Sequence, residues 1–458
     1  MAQLDQNIVL ISLPTILRKL PGTSTVDALW VIMGYTLVIS TLLLTIGRLG
    51  DLFGRIRLYK FGFAVFTIGS GLCSISFDGL VLVIFRLIQG VGAALIFANG
   101  AAIVTDSFPP SERGRALGIN QIGGVSGSVI GLAAGGLLTT TLGWPSIFWI
   151  NLPIGTFATI WAHMRLKEHG VKSEGERPDL IGMIGFGAGL ALALAGIVFG
   201  SLSGWSPIDL SLLFAGMLMI CSFVYVETKI RAPMMDMKLF KIREFGAGIL
   251  ANLLATISRG AVSFVLVFYF QGVLLFDALR AGLMLIPWSL AFVIVGPISG
   301  YFSDRYGSRL FSTTGMVISA ISLLWFSTLP ESTPYSVLVL PMILTGIGGG
   351  LFFSPNTASI MSSIPTNRRG IASGMSSTIL NGGQLLSLGI SFAILAISVP
   401  NNALQEIFAG LPVPSGTIEL GKFVGGMHIA FVFNAALSAV AAAAAYLGKS
   451  KARLDQEI

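Results

Sequence analysis

The chain has 458 residues, 54% of them hydrophobic and only 11% charged, with a mean hydropathy of +0.84. A soluble protein of this length needs far more charge to cover its surface, which excludes a soluble enzyme or a soluble binding module. The net charge of +7 does not point to nucleic acid, because the cations gather in alternate loops between apolar runs, a signature of membrane topology.

Apolar runs of about 20 residues recur along the chain, each long enough to cross about 30 Å of hydrocarbon. They predict an all-α polytopic membrane protein. Residues 1–20 hold only about half a span before the Arg18-Lys19 pair, so the first helix is expected to be incomplete at its cytoplasmic end. Spans follow at 27–49, 60–77, 80–104, 116–142 and 146–164. A charged stretch, 165–179, leads into two more at 180–201 and 210–226. Residues 227–245, ETKIRAPMMDMKLFKIREF, interleave apolar and basic side chains. They read either as an amphipathic segment on the membrane surface or as a solvated linker. The second half has spans at 246–270, 281–302, 311–329, 337–361, 371–399 and 424–447. A turn-rich loop is predicted over 400–422, and the tail is polar. Cys73 and Cys221 lie in separate apolar runs and predict no disulfide.

Residues 47–58, GRLGDLFGRIRL, pack one acid, three arginines and three glycines into a membrane edge. Residues 300–310, GYFSDRYGSRL, repeat the spacing of Gly47, Asp51 and Gly54, with Arg309 one place further on than Arg55 is in the first copy. Gly47 and Gly300 are 253 residues apart; Gly90 and Gly346, and Gly114 and Gly370, are 256 apart. Two six-span bundles in the same orientation, with two spans inserted between them, explain these offsets and imply a central pathway between the bundles. The expected division is 1–166 for the first bundle, 167–227 for the linker and inserted helices, 228–245 for the interfacial linker, 246–448 for the second bundle and 449–458 for a cytoplasmic tail. Loops on the other side of the membrane carry only Arg18, Lys19, Arg280 and Lys422. The basic side is therefore read as cytoplasmic, with both termini on it.

Ionisable groups within a bilayer are costly and mark function by default. Asp5, Arg86 and Arg259 stand out. Asp5 and Arg86 read either as a working pair or as a static buried pair, and Arg259 as a contact for anionic cargo, a partner contact or a snorkelling side chain. Asp51 reads as a latch between loops or as a plain marker of the basic side. Gln89, Asn120, Gln121, Asn356 and Gln384 either line a pathway or bond across helices. His163, His169 and His428 form no metal cluster, and no metal site is expected. The sequence holds no Walker loop, catalytic triad or HExxH, so no enzyme chemistry and no cofactor are expected.

These motifs together resemble the major facilitator superfamily, and in particular its fourteen-span drug:proton antiporter branch, over nearly the whole chain. The two loop motifs match the superfamily signature and its second-half echo. RLIQGVGAA at 86–94 is similar to the signature of the fourth span, and LDQNIVLISLP at 4–14 to that of the first. ETKIRAPMMDMKLF with two inserted spans is typical of the branch. Leu132 stands where the family usually has proline, and Asn7 and Leu10 stand where it has Thr and Asn. The resemblance implies proton coupling through Asp5 and Arg86. It implies gating by Gly47, Asp51, Gly54, Arg55, Arg57, Gly300, Asp304, Gly307 and Arg309, and a cavity near Trp30 and Tyr35. It also implies small-molecule substrates and protons as partners, in the plasma or inner membrane. A proton-coupled multidrug exporter working by alternating access is the leading expectation. A transporter of a metabolite, siderophore, lipid or anionic compound is the alternative, and a transport-inactive receptor or scaffold is the alternative of another class. An envelope adaptor protein stays open as a partner.

Overall fold

The computed structural model describes residues 1–108, 113–166, 179–230, 233, 235–365, 369–413 and 417–448. The first half holds α1 (Ala2–Lys19), α2 (Thr25–Phe53), α3 (Arg55–Ser74), α4 (Gly79–Ser107), α5 (Arg113–Leu142), α6 (Ser146–Trp149) and α7 (Asn151–Arg165). The inserted pair is α8 (Leu180–Ser203) and α9 (Pro207–Glu227). The second half holds α10 (Arg243–Gly260), α11 (Val262–Phe268), α12 (Ala278–Met284), α13 (Ile286–Tyr306), α14 (Ser308–Phe326), α15 (Tyr335–Ser362), α16 (Arg369–Ser398), α17 (Asn401–Ala409) and α18 (Thr417–Gly448).

Among the described residues, ten stretches are long and apolar enough to cross a membrane by themselves. The rods formed by α1, α3 and α6–α7 are not among them, and their composition says why. α3 opens with Arg55, Arg57 and Lys60, and the other two are short or carry charge. α5 contributes a shorter apolar stretch among the described residues, Ser126–Leu142. At the end away from the basic loops, called here the far end, acids close helix starts. Ser24 and Asp27 form a capping box on α2, Ser206 and Asp209 form one on α9, and Asp78 and Asp277 accept from Val81 and Arg280 backbone N–H.

The internal repeat is realised in packing. α2 and α3 lie along α4 as α13 and α14 lie along α15, and α1 lies along α5 as α10 lies along α16. Equivalent glycines permit the contacts. A Cβ on Gly92 would collide with the Phe66 backbone, and one on Gly348 would lie 2.6 Å from the Gly315 carbonyl. α8 and α9 pack as an antiparallel pair, with α8 against α2 and α16.

The two loop motifs end their helices in the same way. Gly54 has φ +101° and its N–H donates to the Gly50 carbonyl; Gly307 has φ +87° and donates to Ser303. Only glycine adopts that backbone without strain. Gly54→Ala is expected to cost about 1–3 kcal/mol, read as a lower unfolding midpoint in lipid nanodiscs; an unchanged midpoint would contradict it.

The halves meet along α2 and α16, where the Ser40 hydroxyl donates to the Thr378 carbonyl. They also meet at the far end. Ile8–Leu17 of α1 and the run 261–272 are buried, and Gln271 donates to the Ile11 carbonyl at 2.8 Å. α5 touches the second half through Leu132 and Gly136, in its far-end portion. Nearer the basic end Asn120 is exposed, and a side chain at Gly123 would meet nothing within 4 Å.

One expectation needs correction. The loop predicted over 400–422 contains α17, and α18 already begins at Thr417. The pattern Ala403, Leu404, Ile407 and Phe408 forms one apolar face; Phe408 stacks on Phe268 at 3.9 Å, so packing overrides the turn-like composition. The segment after Glu227, read as an amphipathic surface segment or a solvated linker, is mostly irregular among its described residues. It holds a short 3-10 turn, Met237–Lys241, and Met235 and Leu239 turn inward against Phe245, Ile249 and Ile360. The span expected at 246–270 is found as one apolar stretch, Arg243–Val273, in which α10 gives way to α11 at Ala261 and a π-turn, Tyr269–Val273, closes the end.

Candidate functional site

The first-half bundle would normally reject charge from its interior. Asp5, Arg86, Gln89 and Asn151 are nevertheless all fully buried, and α1, α4 and α7 bring them together. Arg86 Nη1 donates to Asp5 Oδ2 at 2.5 Å and to Gln89 Oε1 at 2.7 Å. Gln89 Nε2 and Asn151 Nδ2 both donate to Asp5 Oδ1, at 3.0 and 2.7 Å. Asn151 also donates to Ser70 Oγ at 3.1 Å, and Ser70 to the Phe148 carbonyl. Arg86 is held on its other sides: Nε donates to the Val31 carbonyl at 3.1 Å, and the guanidinium lies 4.1 Å from the centroid of the Tyr35 ring.

This arrangement has a definite chemical capacity. The Asp5 carboxylate collects three hydrogen bonds and one full countercharge, which offset the cost of burying it. A proton on Asp5 would remove the countercharge relation. Arg86 would still keep Gln89, Val31 and the π-face of Tyr35. The cluster can therefore exist in two charge states without losing every partner of either ion.

Sequence reading singled out Asp5, Arg86, Gln89 and Tyr35, but missed Asn151, Ser70 and Cys73, whose thiol faces Gln89 Oε1 at 3.6 Å. The available signal was weak: Asn151 is the one amide in the apolar run 146–164, and such a group must find a partner.

The other candidates scatter. Trp30 is half-buried against the apolar core. Tyr35 is fully buried under Arg86, so it forms part of the cluster and not an open cavity wall. Asn356 is also buried, and Nδ2 donates to the Gly248 carbonyl, tying α15 to α10. Gln384 is half-buried on α16 beside Gly260, Asn120 is exposed, and the Gln121 side chain lies outside the described residues. Arg259 is buried in the second half, where Nη1 donates to Ser319 Oγ at 2.8 Å and the Thr345 carbonyl at 2.5 Å.

Of the loop residues, Asp51 lies in the last turn of α2, and its side chain lies outside the described residues. Gly47 has open space where a Cβ would stand. Arg55 is half-buried against Gly50, while Arg57 and Asp304 are exposed. A Cβ on Gly300 would press on Ser354 Oγ, and Arg309 stacks 3.7 Å from the Tyr446 ring. Arg48, next to Gly47, donates to the Pro233 carbonyl and so joins α2 to the linker.

A separate cavity of about 290 Å³ opens at the far end between the halves, lined by Arg18, Lys19, Thr139, Gln271 and Asp277. It shares no residue with the Asp5 cluster.

The comparisons with known proteins agree with this architecture. The family model described as Major Facilitator Superfamily matches residues 1–225, 170–388 and 248–457. The chain is 32% identical over 406 residues to the riboflavin transporter RibZ of Clostridioides difficile, covering 88% of this chain and 87% of that protein. It is 27% identical to the tetracenomycin C resistance and export protein of Streptomyces glaucescens, covering 100% of this chain and 90% of that one. It is 29% identical to multidrug resistance protein Stp of Mycobacterium tuberculosis, covering 93% and 82%. Among solved structures, the POT family transporter PepTSo superposes with a TM-score of 0.66 at 15% identity, covering 97% of this chain and 95% of that one, which speaks to the fold alone.

Proposed function

From the premise that this chain belongs to the Major Facilitator Superfamily and is a secondary transporter of small molecules, we propose that it is a proton-coupled exporter of drug-like compounds, of the fourteen-span drug:proton antiporter branch. The observation that carries this reading is the Asp5–Arg86 cluster: a fully buried carboxylate whose countercharge has other partners to turn to. A proton arriving at Asp5 weakens its hold on Arg86, and so on α4. A change of that kind at the centre of one bundle can bias which side of the molecule is closed.

The packing supports alternating access. The halves are sealed at the far end, whereas α5 toward the basic end leaves Asn120 exposed. In this reading the basic end is cytoplasmic, both termini lie on that side, and the loop motifs around Gly54 and Gly307 latch it. Names of two relatives, an antibiotic export protein and a multidrug resistance protein, favour export. A second reading, transport of a metabolite, is favoured by the 32% identity to a riboflavin transporter.

Proteoliposomes test the proposal directly. With an imposed pH gradient, the protein is expected to move a drug-like dye such as ethidium against its concentration gradient, and purified protein in weak buffer to release protons when ethidium is added. Flux that ignores the pH gradient would remove the proton from the mechanism. Competition by riboflavin, with no effect of ethidium, would select the metabolite reading.

A further inference from the structure

We propose that Arg259 is an anion-recognition site that takes a carboxylate-type group of the transported compound, and the proposal rests on the reading of this chain as a small-molecule transporter. The argument starts from the repeat. Asp5 and Arg259 are 254 residues apart, between the repeat offsets of 253 and 256, and each lies on the first helix of its half. Their neighbours correspond too: Asp5 bonds to Gln89, and Arg259 bonds to Thr345, 256 residues later. The two bundles thus carry opposite charges on their first helices, within two residues of repeat-related positions.

The surroundings of the two charges differ in kind. Asp5 has Arg86 as its counterion. Arg259 has no carboxylate partner among the described residues, and its acceptors are a hydroxyl and a backbone carbonyl. A guanidinium that is 5% exposed and compensated only by neutral groups is a costly feature to retain in a membrane bundle. An anion relieves that cost.

The donor geometry specifies the kind of anion. Nη1 is taken by Ser319 and Thr345, while Nε and Nη2 form no hydrogen bond among the described residues. Arg259 is 5% exposed, so a small part of the residue still reaches open space. Nε–H and Nη2–H form the side-on fork of a guanidinium, which matches the two oxygens of a carboxylate. Gly349 permits this pose, because a Cβ there would collide with Nη2.

The test is equilibrium binding to the full chain in lipid nanodiscs, with no pH gradient, followed by fluorescence polarisation. The probes are fluorescein, which carries a carboxylate, and rhodamine 6G, a related cation whose carboxyl is esterified. Arg259→Gln is expected to weaken fluorescein binding by at least about tenfold and to change rhodamine 6G binding by less than about twofold, with Arg259→Lys in between. Unfolding midpoints establish which variants are folded, and Ser319→Ala, which frees Nη1 while keeping the charge, should leave the preference for fluorescein intact. Three results would overturn the proposal: wild-type protein that does not bind fluorescein, equal losses for both dyes in folded Arg259→Lys, or fluorescein binding unaffected by Arg259→Gln. If added NaCl stabilises the wild type but not Arg259→Gln while fluorescein binding is the same in both, a halide and not the substrate occupies the site, which also overturns it. Because no gradient is applied, failure of proton coupling leaves this binding result standing, and the two readings fail separately.

Discussion

Asp5→Asn is expected to abolish uphill, gradient-driven transport while the protein still reaches the membrane. The substitution preserves shape and the capacity to accept from Gln89 and Asn151, but removes both the titratable group and the countercharge of Arg86. A guanidinium left uncompensated in this interior costs about 3–5 kcal/mol, so the single variant should also be measurably less stable. That second effect allows the working pair to be told from a static one. The double variant Asp5→Asn with Arg86→Gln removes both charges and is expected to recover a large part of the lost stability, without recovering coupling. The measurements are unfolding midpoints in nanodiscs and dye accumulation under a pH gradient. Undiminished accumulation by Asp5→Asn would take the residue out of the mechanism. Accumulation restored in the double variant would make the pair a packing element only.

The other large effect concerns the far-end seal. Gly136 of α5 lies so close to Ala278 and Leu279 that a Cβ there would sit 2.6 Å from the Leu279 Cα. This contact joins the two halves, and alternating access requires it to part when the far end opens. Gly136→Leu therefore strains the far-closed state by about 1–3 kcal/mol, the cost of overpacking. A bias of that size shifts a two-state equilibrium by about 5–150-fold. Transport should fall accordingly, and the far end should open. With Cys73 and Cys221 replaced by serine, a cysteine at Ile11 is buried beneath that seal and should become reactive to a membrane-impermeant maleimide added from the far side. Unchanged reactivity together with unchanged transport would mean that the halves do not separate there.

How far the sequence carries depends on which force decides each feature. Among the described residues, ten crossing helices follow from hydropathy alone, because a bilayer leaves an apolar run of that length no alternative that satisfies its backbone. The repeat, legible in the loop motifs at 47–58 and 300–310, reappears in the structure as matched helix contacts and as paired positive-φ glycines at Gly54 and Gly307. Asp5 and Arg86 were legible for the same reason: charge in an apolar run is rare because it is expensive.

What the chain alone did not reveal is set by contacts between distant segments. Asn151 is 146 residues from Asp5, and nothing in its local sequence says which ion it will serve. Residues 401–409 carry a composition suited to a turn, and only the aromatic surface of Phe264 and Phe268 gives their apolar face a reason to coil. Met235 and Leu239 looked suited to lipid, yet a neighbouring cluster of protein side chains took them instead. The amino-acid order thus determined which segments enter the membrane and which charges are trapped there, since transfer from water is a property of each segment by itself. Tertiary structure alone decided who neutralises whom, leaving Asp5 matched to Arg86 and Arg259 without a carboxylate among the described residues, because electrostatic compensation depends on distance in space and not along the chain.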